Sequence, residues 1–366
     1  TYFTNGIETY SSTFDVNIAP QSSQEYEIDS LELEKDNHNS VVFEYLAGDF
    51  LIASEQIILS EGKLSADINS DGKTTVKPSE NKLFITFDNG SMIFDKSTGF
   101  ITSYIYKNHE MINSFPLGDF KGFAPAFYRA PLDNDRNICK YWHTMGLQNT
   151  SNICKGSSFT DNGDNIVVTT NIKSIANCIL PVANTQIKYT IYPNGNILVD
   201  VNCLGGGAVK LLPRFGVMLE MPKEYENIKY FGLGEDVNLP DYKEHTINKV
   251  YQTTVDKLKE DYIKPQESAT RCDVRFAEIT NASGFGLRFE AVNKPFIFSA
   301  SHYTSNQWAK AMHREDLVDL PTTCVNIDSS VLGAGSNACG PLPDKKDRVG
   351  SLSGKKLSFV VKPIGE

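Results

Sequence analysis

The chain has 366 residues, 40% of them hydrophobic, and a formal net charge of −10. That length and apolar content supply a large core in one or two domains. The acidic balance excludes nucleic acid as a partner, because phosphate binding needs clustered Lys and Arg, and no apolar run reaches the roughly eighteen residues of a membrane span.

Residues 1–62 read as a small β segment, followed at 63–79 by a polar stretch with Asp67, Asn69, Asp71-Gly72 and Pro78 that is expected to be a linker. Period-two patterning dominates from residue 80 onward. Leu83, Ile85 and Phe87 alternate with polar residues up to Asn89-Gly90, and Met92 and Phe94 resume the alternation. That is a hairpin signature, with Asn-Gly expected to supply the positive φ angles of a type I′ turn. A short helix is expected near Lys140–Leu147. The hairpin grammar returns at Ile187, Tyr189 and Ile191, then Asn194-Gly195, then Ile197, Val199 and Val201. Gly205-Gly206-Gly207 lacks the Lys-Ser/Thr of a phosphate loop and reads as a flexible turn. Further strands are expected at Gly286–Ala291 and Pro295–Ser301. Thr304 and Gln307 have the spacing of a capping box, and Trp308, Ala311 and Met312 follow on one helical face as packing residues. Strand-rich sequence without helical alternation predicts an all-β chain built on a large antiparallel sandwich rather than a β/α barrel.

The side chains offer little chemistry of their own. The seven Cys are odd in number and form no C-x-x-C pair, which predicts reduced, mostly buried thiols in a cytoplasmic protein. The six His show no H-x-x-x-H spacing and no Cys/His cluster, so no metal site is expected. Asp133 and Asp135 would share a face on a strand; on a loop they would accept backbone N–H bonds. Both readings stand. The chain begins at Thr1 and is expected to be a processed or excised piece.

Six strings then carry a resemblance. Phe127-Tyr128-Arg129-Ala130-Pro131-Leu132-Asp133-Asn134-Asp135 is the first. Phe231-Gly232-Leu233-Gly234, with Asn238 and Pro240-Asp241, is the second, and Pro265-Gln266-Glu267 with Arg271 and Asp273-Val274-Arg275 is the third. Phe298 to Thr304, then His313 with Leu320-Pro321 and Asn326-Ile327-Asp328, and finally Gly333 to Pro341 complete the set. In order and spacing they resemble the C-terminal domain of glycoside hydrolase family 2 β-galactosidases. Phe14 to Pro20 resembles the end of the preceding immunoglobulin-like domain.

The resemblance implies a partial immunoglobulin-like β-sandwich at 1–62, the linker at 63–79, and a galactose-mutarotase-like supersandwich at 80–366. It implies the non-catalytic C-terminal portion of a retaining enzyme that hydrolyses terminal β-D-galactose. Both catalytic Glu residues, and the bound Mg2+ and Na+, would belong to other domains, leaving no catalytic residue and no metal here. The implied partners are a (β/α)8 barrel, in the same chain or in a separate large subunit, a galactoside, and further copies in a homo-oligomer. Asp133, Asn134, Asp135 and Cys339 would line one edge of the sugar pocket. A free-standing carbohydrate-binding or mutarotase-like domain is the alternative, with His302, His313 and Glu290 as its candidate acid and base, but those residues read more simply as structural. Trp142 and Trp308 likewise read as core rather than sugar platforms. The sequence departs from the family where Arg136-Asn137-Ile138-Cys139 replaces a Gly-containing loop, where Ser268-Ala269 replaces Asn-Gly, and where Tyr242 replaces an Arg.

Overall fold

The computed structural model describes residues 1–27, 33–65, 68, 71–112, 122–336 and 338–365. Asp67 and Asn69 of the expected linker, and Asn337 of the last string, lie outside them. Among the described residues four sheets hold the strands, and every pairing between strands is antiparallel. The all-β expectation therefore stands.

A nine-stranded sheet is the frame. It runs Thr150–Asp161, Ile166–Ala176, Leu180–Ile191, Ile197–Gly206, Lys356–Ile364, Gly286–Ala291, Phe276–Thr280, Asn227–Gly234 and Ile247–Thr254. Its middle joins distant sequence, since Ile197 lies opposite Val361 and Phe289 also lies opposite Val361 from the other side. Alternation sets which face is buried: Ile197, Val199 and Val201 are buried, while Leu198, Asp200 and Asn202 between them are partly exposed. Two smaller sheets cover that apolar face. One is a meander of Thr75–Pro78, Lys82–Phe87, Gly90–Asp95, Phe100–Tyr106 and His109–Glu110; its first strand lies inside the stretch expected as linker. Phe94 meets Tyr189 edge on, with ring centroids 6.1 Å apart, and Tyr104 donates its hydroxyl to the Gly195 carbonyl at 2.8 Å. The other is the five-stranded sheet Ala124–Ala126, Arg214–Pro222, Thr322–Val331, Phe296–Ser301 and Arg271–Val274. Phe215, Val217, Leu219, Val325 and Ile327 bring it into the common core.

The hairpins form where the sequence placed them, with different turns. Phe87 pairs with Gly90, so Asp88-Asn89 is the loop and only Asn89 of the two has positive φ, at 61°. A type I′ turn needs two such residues. The second hairpin closes Ile191 on Ile197 through five residues, with Gly195 in the left-handed region. Gly205 and Gly206 end a strand rather than forming a free turn. Helices occur at Ile138–Met145 and Ser305–Lys310. The second has its capping box: Thr304 Oγ1 accepts the Gln307 N–H at 3.2 Å, and Gln307 Oε1 accepts the Thr304 N–H at 2.9 Å. Trp308 and Ala311 are buried, but Met312 is exposed, because the helix stops at Lys310 and Ala311 is already extended. The expectation of mostly buried thiols needs correction as well. Cys203, Cys272 and Cys324 are buried, Cys178 and Cys339 are exposed, and all seven are free.

Ahead of the sandwich lies a four-stranded sheet of Ile7–Tyr10, Tyr2–Thr4, His38–Ala47 and Phe50–Glu61. It docks on the edge strand of the nine-stranded sheet. Val250 N–H reaches the Gly6 carbonyl at 2.9 Å, and the Gln56 amide brackets the Asn248 backbone at 2.6 and 2.9 Å. Arg275 donates to the Glu61 carbonyl at 2.7 Å and pairs with its carboxylate. His38 is buried in this junction, edge-on to Phe231 at 5.3 Å. Burial, and then the Arg275 charge, push its pKa down to about 4, against the opposing pull of Glu61. Between pH 6.5 and 4 the unfolded chain therefore takes up a proton that the folded chain refuses, so this contribution is complete above pH 6.5 and is lost as pH falls toward 4. The melting temperature of the parent chain should fall more steeply across that window than that of His38→Leu; parallel curves would contradict the assignment.

Candidate functional site

The site is built from loops at one end of the sandwich, where the first, second, third and last of the six strings converge. Arg129 is its anchor. The side chain is fully buried, and its Nη1 donates to Asp135 Oδ2 at 2.6 Å and to the Ala130 carbonyl at 3.0 Å. Its Nη2 reaches the Leu332 carbonyl at 3.3 Å, and the guanidinium lies 5.4 Å from the centre of the buried Trp142 ring. Trp142 is held in turn by its indole N–H on the Leu211 carbonyl at 2.7 Å. The helix that carries it begins at Ile138, so the replaced loop 136–139 runs into helical structure.

The three predicted rim residues form one turn of 3-10 helix, Asp133–Asp135. They do not share a face or a role. Asp135 is buried, and its Oδ2 also accepts the Leu132 N–H at 2.8 Å. Asp133 is exposed and makes a two-point contact with Gln266: its N–H donates to Oε1 at 2.9 Å, and Gln266 Nε2 donates to its Oδ2 at 3.2 Å. Asn134 donates from Nδ2 to the Gly335 carbonyl at 2.7 Å. That bond ties the turn to the loop bearing Cys339, which is exposed, with its N–H on the Ser336 carbonyl at 3.1 Å.

Sequence reasoning missed Asp241. Its carboxylate accepts the Ala334 N–H at 2.6 Å and the Gly335 N–H at 2.8 Å. The loop can close on it because Gly333 lacks a Cβ, which would stand 2.4 Å from Asp241 Oδ1, and because Gly335 adopts a φ of +56°. The signal was present in Pro240-Asp241, but nothing local says that this Asp caps a loop 93 residues away. Asn238 and Arg271 then lock the second string to the third. Asn238 Oδ1 accepts the Cys272 N–H at 2.6 Å, and Arg271 donates to the carbonyls of Glu235 at 2.7 Å and Leu258 at 3.1 Å.

Behind the rim, Arg214 and Asp328 form a buried pair at 3.1 Å. Burial pushes the Asp328 carboxyl up to about 7, opposed by Arg214 and reinforced by the nearby Glu267. The candidate mutarotase residues do not form a site. Both Glu290 oxygens are held by cations, with Arg288 Nε at 2.5 Å and Lys362 Nζ at 2.6 Å. His302 is enclosed with its Nδ1 on the Thr322 carbonyl, and His313 is exposed beyond the helix end. Among the described residues no three His, Cys, Asp or Glu side chains converge to hold a metal ion, and no helix is long and apolar enough to cross a membrane.

A family model described as "Beta galactosidase small chain" matches residues 86–361. The chain belongs to that family. All six strings, and with them the whole rim cluster, lie inside the matched residues. A β-galactosidase of Actinobacillus pleuropneumoniae is 28% identical over 351 residues, covering 92% of this chain and 33% of its own length. Those of Streptococcus thermophilus and Staphylococcus xylosus are each 25% identical, covering 96% and 80% of this chain and 33% and 29% of theirs. This small-chain family member thus spans about a third of the length of the curated relatives it matches. Among solved structures, a galactose 1-epimerase from Lactobacillus acidophilus NCFM aligns with a TM-score of 0.46 at 7% identity, over 89% of this chain and 99% of that one.

Proposed function

We propose that this chain is the C-terminal, non-catalytic part of a family 2 β-galactosidase, bracing a catalytic barrel and lining one edge of its galactose pocket. A retaining glycosidase needs two carboxyl groups roughly 5–5.5 Å apart, one free to trade a proton and one free to attack. The observation that carries the reading is that the acids of the rim are already committed. Asp135 is spent on Arg129, Asp241 on two backbone amides, and Asp133 on Gln266. Their chemistry is that of a scaffold holding loops in place. Asp133, Asn134 and Cys339 are what such a scaffold would present to a sugar, while the acid and the nucleophile, with Mg2+ and Na+, would reside on the catalytic barrel. Residues 1–62 are then part of an immunoglobulin-like sandwich, 63–79 the connection, and 80–366 the C-terminal supersandwich. The seven free thiols favour a cytoplasmic enzyme. A separate small subunit of a two-chain enzyme is the form favoured by the description of the matching family.

The N-terminal sheet supports a missing neighbour. Phe50 and Ile52 are 72% and 63% exposed, and Ile7, Leu46, Leu51, Ile57 and Leu59 join them. An exposed apolar area of that kind marks an interface. Phe50→Glu with Ile52→Glu should leave the stability of the isolated chain within about 0.5 kcal/mol, as for other surface changes. The same pair should abolish co-migration with a barrel-bearing fragment in size-exclusion chromatography. Undiminished co-migration would count against the interface.

A further inference from the structure

The turn that carries Cys339 is bonded within itself. The Ser336 carbonyl accepts the N–H groups of Cys339, at 3.1 Å, and of Gly340, and the Ser336 N–H closes the turn on the Pro341 carbonyl at 3.2 Å. A turn held in this way moves as one body, so its position is set at its base. The base is Gly335, and both sides of its backbone are clamped. Its N–H donates to Asp241 Oδ2 at 2.8 Å, and its carbonyl accepts from Asn134 Nδ2 at 2.7 Å. Asp241 Oδ1 takes the preceding N–H, from Ala334, at 2.6 Å. Hydrogen bonds to a charged acceptor are stronger than those to a neutral one.

Asp241 can act as a fixed post because its own turn is braced. Leu239 and Tyr242 exchange backbone hydrogen bonds at 2.9 and 2.8 Å, and the neighbouring Asn238 is fully buried and accepts the Cys272 N–H. Just beyond, Lys243 pairs with Asp273 at 2.8 Å. The fit between post and loop is close: a Cβ on Gly333 would stand 2.4 Å from Oδ1 and 2.7 Å from Oδ2. Asp241 itself is exposed and outside the common core. Its substitution therefore leaves the fold in place and frees the loop.

We propose that Asp241 is a positioning residue: through Gly335 it fixes where Cys339 stands at the edge of the galactose pocket. This role rests on the pocket-lining function of the chain. Asp241 acts through Cys339 rather than on the sugar. A pocket edge that binds ground state and transition state alike governs KM and leaves kcat near the parent value.

Variants of the 366-residue chain, each combined with a fragment carrying the catalytic barrel, test the proposal. In Asp241→Asn one acceptor oxygen remains, and in Asp241→Ala none. KM for o-nitrophenyl β-D-galactopyranoside should rise in that order, to about tenfold for Ala, with kcat within about twofold. Gly333→Ala should raise KM on its own but add nothing to Asp241→Ala, because the carboxylate it strikes is gone. Hydrogen exchange on the chain alone separates the tether from the pocket. In Asp241→Ala the Ala334 and Gly335 amides should exchange about tenfold faster or more, with the rest of the chain unchanged. Unchanged exchange would show that Asp241 does not hold the loop. Faster exchange with an unchanged KM would overturn the positioning role, while turnover by the parent chain with the fragment upheld the barrel-bracing reading. No turnover from the parent chain with the fragment would remove the pocket itself, and the role of Asp241 with it.

Discussion

Arg129→Met should lower the unfolding free energy of this chain by about 3–5 kcal/mol, the range for a buried ion pair that loses one partner. The loss comes less from the missing attraction than from what stays behind. Asp135 is buried, and without Arg129 its carboxylate keeps the Leu132 N–H but no counter-charge. The carbonyls of Ala130 and Leu332 lose their donor as well. Methionine fills much of the space beside Trp142 but satisfies none of these atoms. Removing both charges tests the cause. Arg129→Met with Asp135→Leu should recover a large share of the loss, because no unpaired ion remains. Urea denaturation of the three proteins reads the result. A single variant within about 1 kcal/mol of the parent would show that the pair does not anchor the rim.

The same geometry explains what could and could not be read from the sequence. Hairpins were legible because period-two patterning and turn residues are local properties of the chain. Their turn types were not, because the loop moved one residue back to Asp88-Asn89 at the first hairpin and widened to five residues at the second. The Thr304–Gln307 cap was legible for the same local reason, while Met312 was misassigned because nothing nearby marks Ala311 as extended. The order of the nine-stranded sheet was beyond reach. Its centre pairs Ile197–Gly206 with Lys356–Ile364, and no local pattern encodes that partnership.

The candidate site divides in the same way. Its strings were visible in sequence order, and their resemblance to one family named the residues. Their division of labour was not visible. Asp133 and Asp135 look equivalent two residues apart, yet one is exposed against Gln266 and the other is sealed onto Arg129. Asp241, Asn238 and Arg271 sat inside the quoted strings with no role until the loops met. The Arg214–Asp328 pair is a tertiary fact of the same kind, since its two residues lie on neighbouring strands of the five-stranded sheet.

Hydrolysis is the measure of the central claim. Enzymes lower barriers by about 8–23 kcal/mol, and for a glycosidase much of that depends on two uncommitted carboxyl groups flanking the scissile bond. The purified 366-residue chain, given o-nitrophenyl β-D-galactopyranoside, should release nitrophenol no faster than buffer. Turnover should begin when a fragment carrying the catalytic barrel is added, and should titrate with the amount of this chain present. Steady turnover by the chain alone, undiminished through further purification, would contradict the account.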